Sequence, residues 1–328
     1  MPADIPGIHH VTAVGSDPVR NAQFYTETLG LRLVKRSVNQ DDVSVYHLFY
    51  GDHGGSPGTS MTFFPYPDAA SGQVGTGQAT AVGFLIPADA VDYWVDRLDA
   101  AGVDADDPHE RFGDTVLPFR DPDGLPLELV GRTDAPAGDP PAGPVPAEHA
   151  IRGFFGVTLS LVDPDRTAQL LEAMGFEERG ESPTPRADGD AVSAAGVRRR
   201  YEADGALGYV VDLLEDPDAP RGRPGAGTVH HVAFQVTRET QPEWREVLMD
   251  HGLRPTEIID RKWFESVYAR TTGGVLFEYA TTEPGYTVDE NRDHLGERLV
   301  LPEWLEDRRE DIEAGLPSLD LDDAVPGE

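Results

Sequence analysis

The sequence predicts an α+β protein built from four copies of one strand, helix and three-strand unit. Three observations carry this. Gly30, Gly102, Gly175 and Gly252 each close a helix-like stretch and are followed by an apolar residue, as when glycine takes the left-handed position just past a helix. They lie 72, 73 and 77 residues apart. One β-like run precedes each helix (residues 8–14, 80–86, 153–162 and 229–236), and further β-like runs broken by Gly, Pro and Asp follow it. Units two and four also align by hand: Arg120 and Arg270 lie 18 residues after their glycines, and Glu128 and Glu278 lie 26 after. Repetition at this period points to duplicated units that bury their faces by pairing.

In chain order, unit one opens on Gly7-Ile8-His9-His10-Val11-Thr12, and unit four on Thr228-Val229-His230-His231-Val232-Ala233. The matching positions hold Ala81 and Val82 in unit two, and Phe154 and Phe155 in unit three. Units one and two are assigned to residues 1–140, and units three and four to 150–282. The Pro-, Ala- and Gly-rich stretch 131–150 reads as the linker between units two and three. Residues 183–196 and 216–227 read as polar surface loops. The tail 283–328, with amphipathic turns over 301–314, is expected to pack on the units.

Composition excludes several functions. The net charge of −32 comes from 59 acidic and 27 basic residues, and the only lysines are Lys35 and Lys262. Such a surface repels nucleic acid and anionic membranes. It fits a halophilic protein in a salt-rich cytoplasm, where screening makes the self-repulsion tolerable. There is no apolar run of about 18 residues and no secretory start, so a soluble, cytoplasmic protein is expected. Homo-oligomerisation is left open. With no cysteine, a metal would have to be held by His, Asp or Glu.

His10, His231 and Glu278 supply two imidazoles and a carboxylate on strands, the facial triad that non-heme Fe(II) sites use. Strand alternation selects among the tandem histidines. His10 shares a face with Ile8, Thr12 and Val14, and His231 with Ala233 and Gln235, whereas His230 joins the apolar row Val232, Phe234 and Val236. Glu278, between Phe277 and Tyr279, would be costly to bury without a cation. The plainer readings are structural histidines and a salt bridge from Glu278 to Arg270. Tyr268 is the leading candidate to bond a substrate hydroxyl. His9, His230, Thr12 and Asp52 are further candidates around the metal. Phe49, Phe64, Trp263 and Phe264 could form the apolar wall for a ring.

Strand-helix-three-strand modules with ligands on first and last strands resemble the vicinal oxygen chelate superfamily of glyoxalases, bleomycin-resistance proteins and extradiol dioxygenases. The runs Leu33-Val34-Lys35-Arg36-Ser37-Val38-Asn39-Gln40-Asp41-Asp42, Tyr46-His47-Leu48-Phe49-Tyr50-Gly51-Asp52, Pro57-Gly58-Thr59-Ser60-Met61-Thr62-Phe63-Phe64-Pro65 and Asp260-Arg261-Lys262 through Phe264-Glu265-Ser266-Val267-Tyr268 resemble its hydroquinone and chlorohydroquinone ring-cleaving dioxygenases. That resemblance implies Fe(II), with Mn(II) as the other candidate, and cleavage of a small 1,4-dihydroxybenzene by O2 at an extradiol-type site. It also implies that units one and four pair around the metal while two and three pair without one, leaving the linker on the remote lobe. Glyoxalase-type isomerases usually add a second Glu on the last strand of unit one, where this chain has Met61-Thr62-Phe63-Phe64. Catechol-cleaving relatives take their first histidine from unit three. The chain departs from the chlorohydroquinone enzymes in passing from Lys262 straight to Trp263, without a longer loop carrying another Arg. The rival readings are a glyoxalase-type isomerase or lyase and a non-catalytic protein that binds aromatic compounds.

Overall fold

In the computed structural model, which describes residues 2–185 and 194–319, each unit runs strand, helix and three strands. Unit one comprises β1 (Ile8–Gly15), α1 (Pro18–Gln23), β2 (Arg32–Asn39), β3 (Asp42–Gly51) and β4 (Ser60–Pro65). Unit two comprises β5 (Gln78–Pro87), α2 (Val91–Ala100), β6 (His109–Arg111), β7 (Asp114–Arg120) and β8 (Pro126–Arg132). Unit three comprises β9 (Gly153–Leu161), α3 (Asp165–Ala173), β10 (Glu177–Pro185), β11 (Ala194–Glu202) and β12 (Val210–Glu215). Unit four comprises β13 (Thr228–Val236), α4 (Gln241–Asp250), β14 (Ile259–Asp260), β15 (Phe264–Arg270) and β16 (Leu276–Pro284). The four punctuating glycines have φ of 69°, 67°, 92° and 76°, the left-handed conformation their positions required. After α1 the helix widens into a π-helical turn (Phe24–Thr28) that sequence periodicity does not signal.

The strands form two eight-stranded sheets. One has the order β14-β15-β16-β13-β1-β4-β3-β2, the other β10-β11-β12-β9-β5-β8-β7-β6. Units one and four therefore join through the antiparallel pair β1 and β13, and units two and three through β5 and β9. This is the expected pairing, in which the chain leaves the first sheet, builds the second and returns. The predicted surface loop 183–196 is partly strand, since β10 runs to Pro185 and β11 starts at Ala194; residues 186–193 lie outside the described structure. The linker does not stay on the remote lobe. The Asp139 carbonyl accepts from the His53 amide, and Val145 packs beside Gly30 of unit one.

Among the described residues only six carboxylates are buried: Asp52, Asp114, Asp121, Asp212, Glu278 and Glu290. The remaining acids lie at or near the surface, so their repulsion weakens as salt shortens the Debye length from about 10 Å at 0.1 M to about 3 Å at 1 M. The melting temperature is therefore expected to rise by roughly 4 °C between about 0.1 and 2 M KCl, equivalent to about 3 kcal/mol for a chain of this size. Calorimetry that found a flat or falling melting temperature would contradict this.

Candidate metal centre

Five of the six buried carboxylates are met by backbone amides, an arginine or a lysine. Asp52 accepts from the amides of Gly54 and Ser56; Asp121 accepts from those of Asp123 and Leu125. Asp114 and Asp212 share Arg200, and Glu290 meets Lys35. Glu278 is different. It is wholly buried, and among the described residues it has no Lys or Arg within ion-pair distance; Arg270 instead donates to the Gly274 carbonyl. Its Oε1 accepts from Ser266 Oγ, and its Oε2 has no aligned donor.

What Oε2 does face is a pair of imidazoles. His231 Nε2 is 2.8 Å away and His10 Nε2 3.3 Å, and the two nitrogens are 3.2 Å apart. Adjacent ligands of an octahedral cation with bonds of about 2.1 Å are separated by about 3.0 Å, so this triangle is close to one octahedral face. Burial alone would raise the Glu278 pKa, but the imidazoles outweigh it and hold the carboxyl well below its ordinary range. Burial lowers the pKa of His231, keeping it a neutral ligand. The donor set fits a divalent metal.

The strand pairing explains why the histidines come in tandem. Between the pairs Ile8–Phe234 and His10–Ala233, β1 carries an extra residue, His9; between Thr12–His231 and Ala13–Val229, β13 carries an extra residue, His230. Each is a β-bulge, which turns consecutive side chains toward the same side. The expectation that His9 and His10 face apart is therefore corrected. Their Nδ1 atoms are 2.9 Å apart, and those of His230 and His231 are 2.8 Å apart. Were Nε2 of His10 and His231 turned to a metal, their Nδ1–H groups would be free to donate to His9 and His230, which would then orient the two rings.

Burial, then the neighbouring His10, pushes the His9 pKa down to about 3; partial desolvation and His231 push that of His230 to about 4, and His230 contributes less because the residue is solvent-exposed and its interactions are screened. Because these folded values lie below the unfolded 6.5, the neutral rings contribute stability above pH 6.5 that is lost as pH falls toward 4. For fully buried His9 the slope reaches about 1.4 kcal/mol per pH unit. In metal-free protein at high salt, the urea midpoint is expected to fall steadily between about pH 6.5 and 4.5. A flat midpoint across that window would mean that these rings are protonated in the folded state.

A cavity of about 410 Å³ opens beside the triad, lined by His10, His231 and Glu278 and walled by Phe49, Phe64, Trp263 and Phe264. Tyr268 lines it, its hydroxyl 3.3 Å from Arg261 Nε, and Arg261 is held by both oxygens of Asp41 at 2.9 and 3.2 Å. Burial and then the Glu278 charge raise the Tyr268 pKa, so its hydroxyl remains a donor. His47 also lines the cavity and was missed from sequence, although it lies within a quoted run; its Nε2 is 3.0 Å from Thr62 Oγ1, which bonds Thr12 Oγ1 at 2.8 Å. Burial, then the like charges of His10 and His231, keeps His47 neutral. Thr12 thus reaches the cavity only through Thr62 and His47, and Asp52 does not line it, its carboxylate being spent on the turn.

The second sheet is an internal control. Glu128 pairs with Gly83 as Glu278 pairs with Ala233, but there Arg111 lies across both Glu128 oxygens. Arg111 and Arg261 each lie nine residues after their unit's glycine. Where there are no histidines the arginine neutralises the glutamate; where there are, Asp41 and Tyr268 hold it away. Arg261 and Asp41 were not picked out from sequence, although that repeat spacing was a signal for Arg261.

Residues 7–129 match the family model described as Glyoxalase/Bleomycin resistance protein/Dioxygenase superfamily. Over 315 residues the chain is 42% identical to a Bacillus subtilis protein with the provisional name ring-cleaving dioxygenase MhqO, covering 94% of this chain and 95% of that one. It is 32% identical over 323 residues to the chlorohydroquinone/hydroquinone 1,2-dioxygenase of Sphingobium indicum, covering 95% and 96%. A crystal structure provisionally described as a dioxygenase from Bacillus subtilis superposes with a TM-score of 0.88 at 40% identity, covering 97% of this chain and 98% of that one. Glyoxalase I from Zea mays shares the fold, with a TM-score of 0.62 at 16% identity over 84% of this chain and 92% of that one.

Proposed function

This chain belongs to the Glyoxalase/Bleomycin resistance protein/Dioxygenase superfamily, alongside relatives named ring-cleaving dioxygenases, and from that premise we propose that it cleaves hydroquinone-type rings with O2 at an Fe(II) centre held by His10, His231 and Glu278. The observation that carries the reading is the position matching Glu278 in unit one. Thr62 pairs with Thr12 on β1 as Glu278 pairs with Ala233 on β13, so no fourth carboxylate closes the triad. A divalent metal there would supply adjacent open positions at which a phenolate and dioxygen meet.

The chain's own groups then have distinct tasks. The aromatic wall holds a flat ring and excludes water. Tyr268, kept protonated and oriented by Arg261, donates a hydrogen bond to an oxygen on the ring or beside it. His47, neutral and anchored through Thr62, is placed to take up a phenolic proton. The ring substrate is a small neutral phenol, which an acidic protein surface does not repel.

Fe(II) loading without oxygen, followed by oxygen uptake on hydroquinone, catechol, and methylglyoxal plus a thiol, tests the reading. Hydroquinone consumed one-to-one with O2 is the expected result. Faster turnover of catechol, or isomerisation of the hemithioacetal, would overturn the substrate class. Binding of the ring without oxygen uptake would indicate a sequestering protein instead.

A further inference from the structure

Among the described residues the tail after β16 adds no strand to either sheet, yet at one point it packs behind the wall of the cavity. Lys35 on β2 is fully buried, and its ammonium donates to Asp289 Oδ1 at 2.7 Å, to the Glu290 carboxylate and to the Tyr286 carbonyl at 3.0 Å. The other Asp289 oxygen accepts from Trp263 Nε1 at 2.9 Å and lies 3.3 Å from Lys262 Nζ. Both lysines of the chain thus converge on one carboxylate, while arginine supplies every other side-chain cation apart from histidine. An ammonium is a compact charge that fits where a planar guanidinium does not, which accounts for lysine at this crowded point.

That carboxylate anchors a wall of the cavity. Trp263 lines the cavity, as does Phe49, and Tyr286 from the tail packs on both, with ring centroids 6.5 and 5.3 Å away. Phe49, Trp263, Phe264 and Tyr286 form one apolar cluster with Leu295 and Val300, so the cavity wall and the tail are a single packing unit. The only tie on the indole nitrogen is the one to Asp289.

We propose that the C-terminal segment sets the ring-substituent selectivity of the cavity, with Asp289 as the positioning residue that holds the Trp263 indole in place. This rests on the reading of the cavity as an aromatic-substrate site. Without the anchor, the indole gains rotamers and the wall yields to bulkier rings.

The test compares hydroquinone with 2-tert-butylhydroquinone by kcat/KM in the Fe(II)-loaded enzyme and by anaerobic binding. Asp289→Ala is expected to reduce the preference for the smaller ring about tenfold, mainly through KM, at unchanged iron content. Trp263→Phe is expected to do the same, and the double variant should show no further change, because both act through one contact. Glu303→Ala, which removes only the outer partner of Lys262, should leave the preference intact. An unchanged preference in either single variant, or additive effects in the double, overturns the inference. Should Asp289→Ala not fold, Trp263→Phe decides alone. If the wild type neither binds nor turns over either compound, the functional reading fails instead.

Discussion

Glu278→Ala is expected to abolish stoichiometric metal binding and to lower oxygen-dependent turnover by at least about 10³-fold, while leaving the fold intact. The reasoning begins with burial: Glu278 is wholly enclosed, and its Oε2 faces only the two ligand imidazoles. Removing one of three protein ligands costs more than the 10- to 100-fold typical of an outer-shell change. The metal-free variant is expected to be somewhat less stable than metal-free wild type yet still folded, because it loses the carboxylate that the two imidazoles hold in its charged form. Added Fe(II) should then raise the melting temperature of wild type, by linkage worth about 2.7 kcal/mol at 100 times Kd, and leave that of the variant unmoved. One metal per chain in purified Glu278→Ala would sink the assignment.

Lys35→Ala should be the most destabilising single substitution outside the apolar core, at about 3–5 kcal/mol. It strands Glu290 and one face of Asp289 without their buried cation, the situation in which breaking an ion pair is most costly. Lys262→Ala supplies the contrast. Its ammonium is shared between Asp289, which keeps Lys35 when Lys262 is lost, and Glu303, whose side chain is 78% exposed, so the loss is expected to be about 1 kcal/mol. Urea unfolding of both variants decides this. Equal and small losses would show that water reaches Lys35 and that the tail is held by apolar packing alone.

The three residues of the candidate triad were legible because their signals are local or repetitive. A tandem histidine in an apolar strand, repeated at matching positions in units one and four, and a glutamate flanked by Phe277 and Tyr279 each stand out against strand alternation. The outer partners were less legible. Strand periodicity assigns His9 and His10 to opposite faces, and only the one-residue slip in the pairing of β1 with β13 turns them together. His47 is an unremarked residue on β3 until β4 brings Thr62 beside it. Asp52 is acidic and near the site in sequence, but two backbone amides claim it first.

By itself the sequence determined the four units, their glycine-terminated helices, the thiol-free ligand set and the absence of histidines from units two and three. These follow from interactions that span a few residues, such as the left-handed conformation after a helix or the two-residue period of a strand. The resemblance to a known family supplied the expectation that units one and four pair. Only the tertiary structure decided the bulges that aim the tandem histidines, the Arg261 brace on Tyr268 and the meeting of Lys35, Lys262 and Trp263 on Asp289. Those depend on register between strands and on contacts across more than two hundred residues, as between Lys35 and Asp289. No local propensity encodes such contacts, because they exist only once units one and four have joined in one sheet and the tail has packed on it.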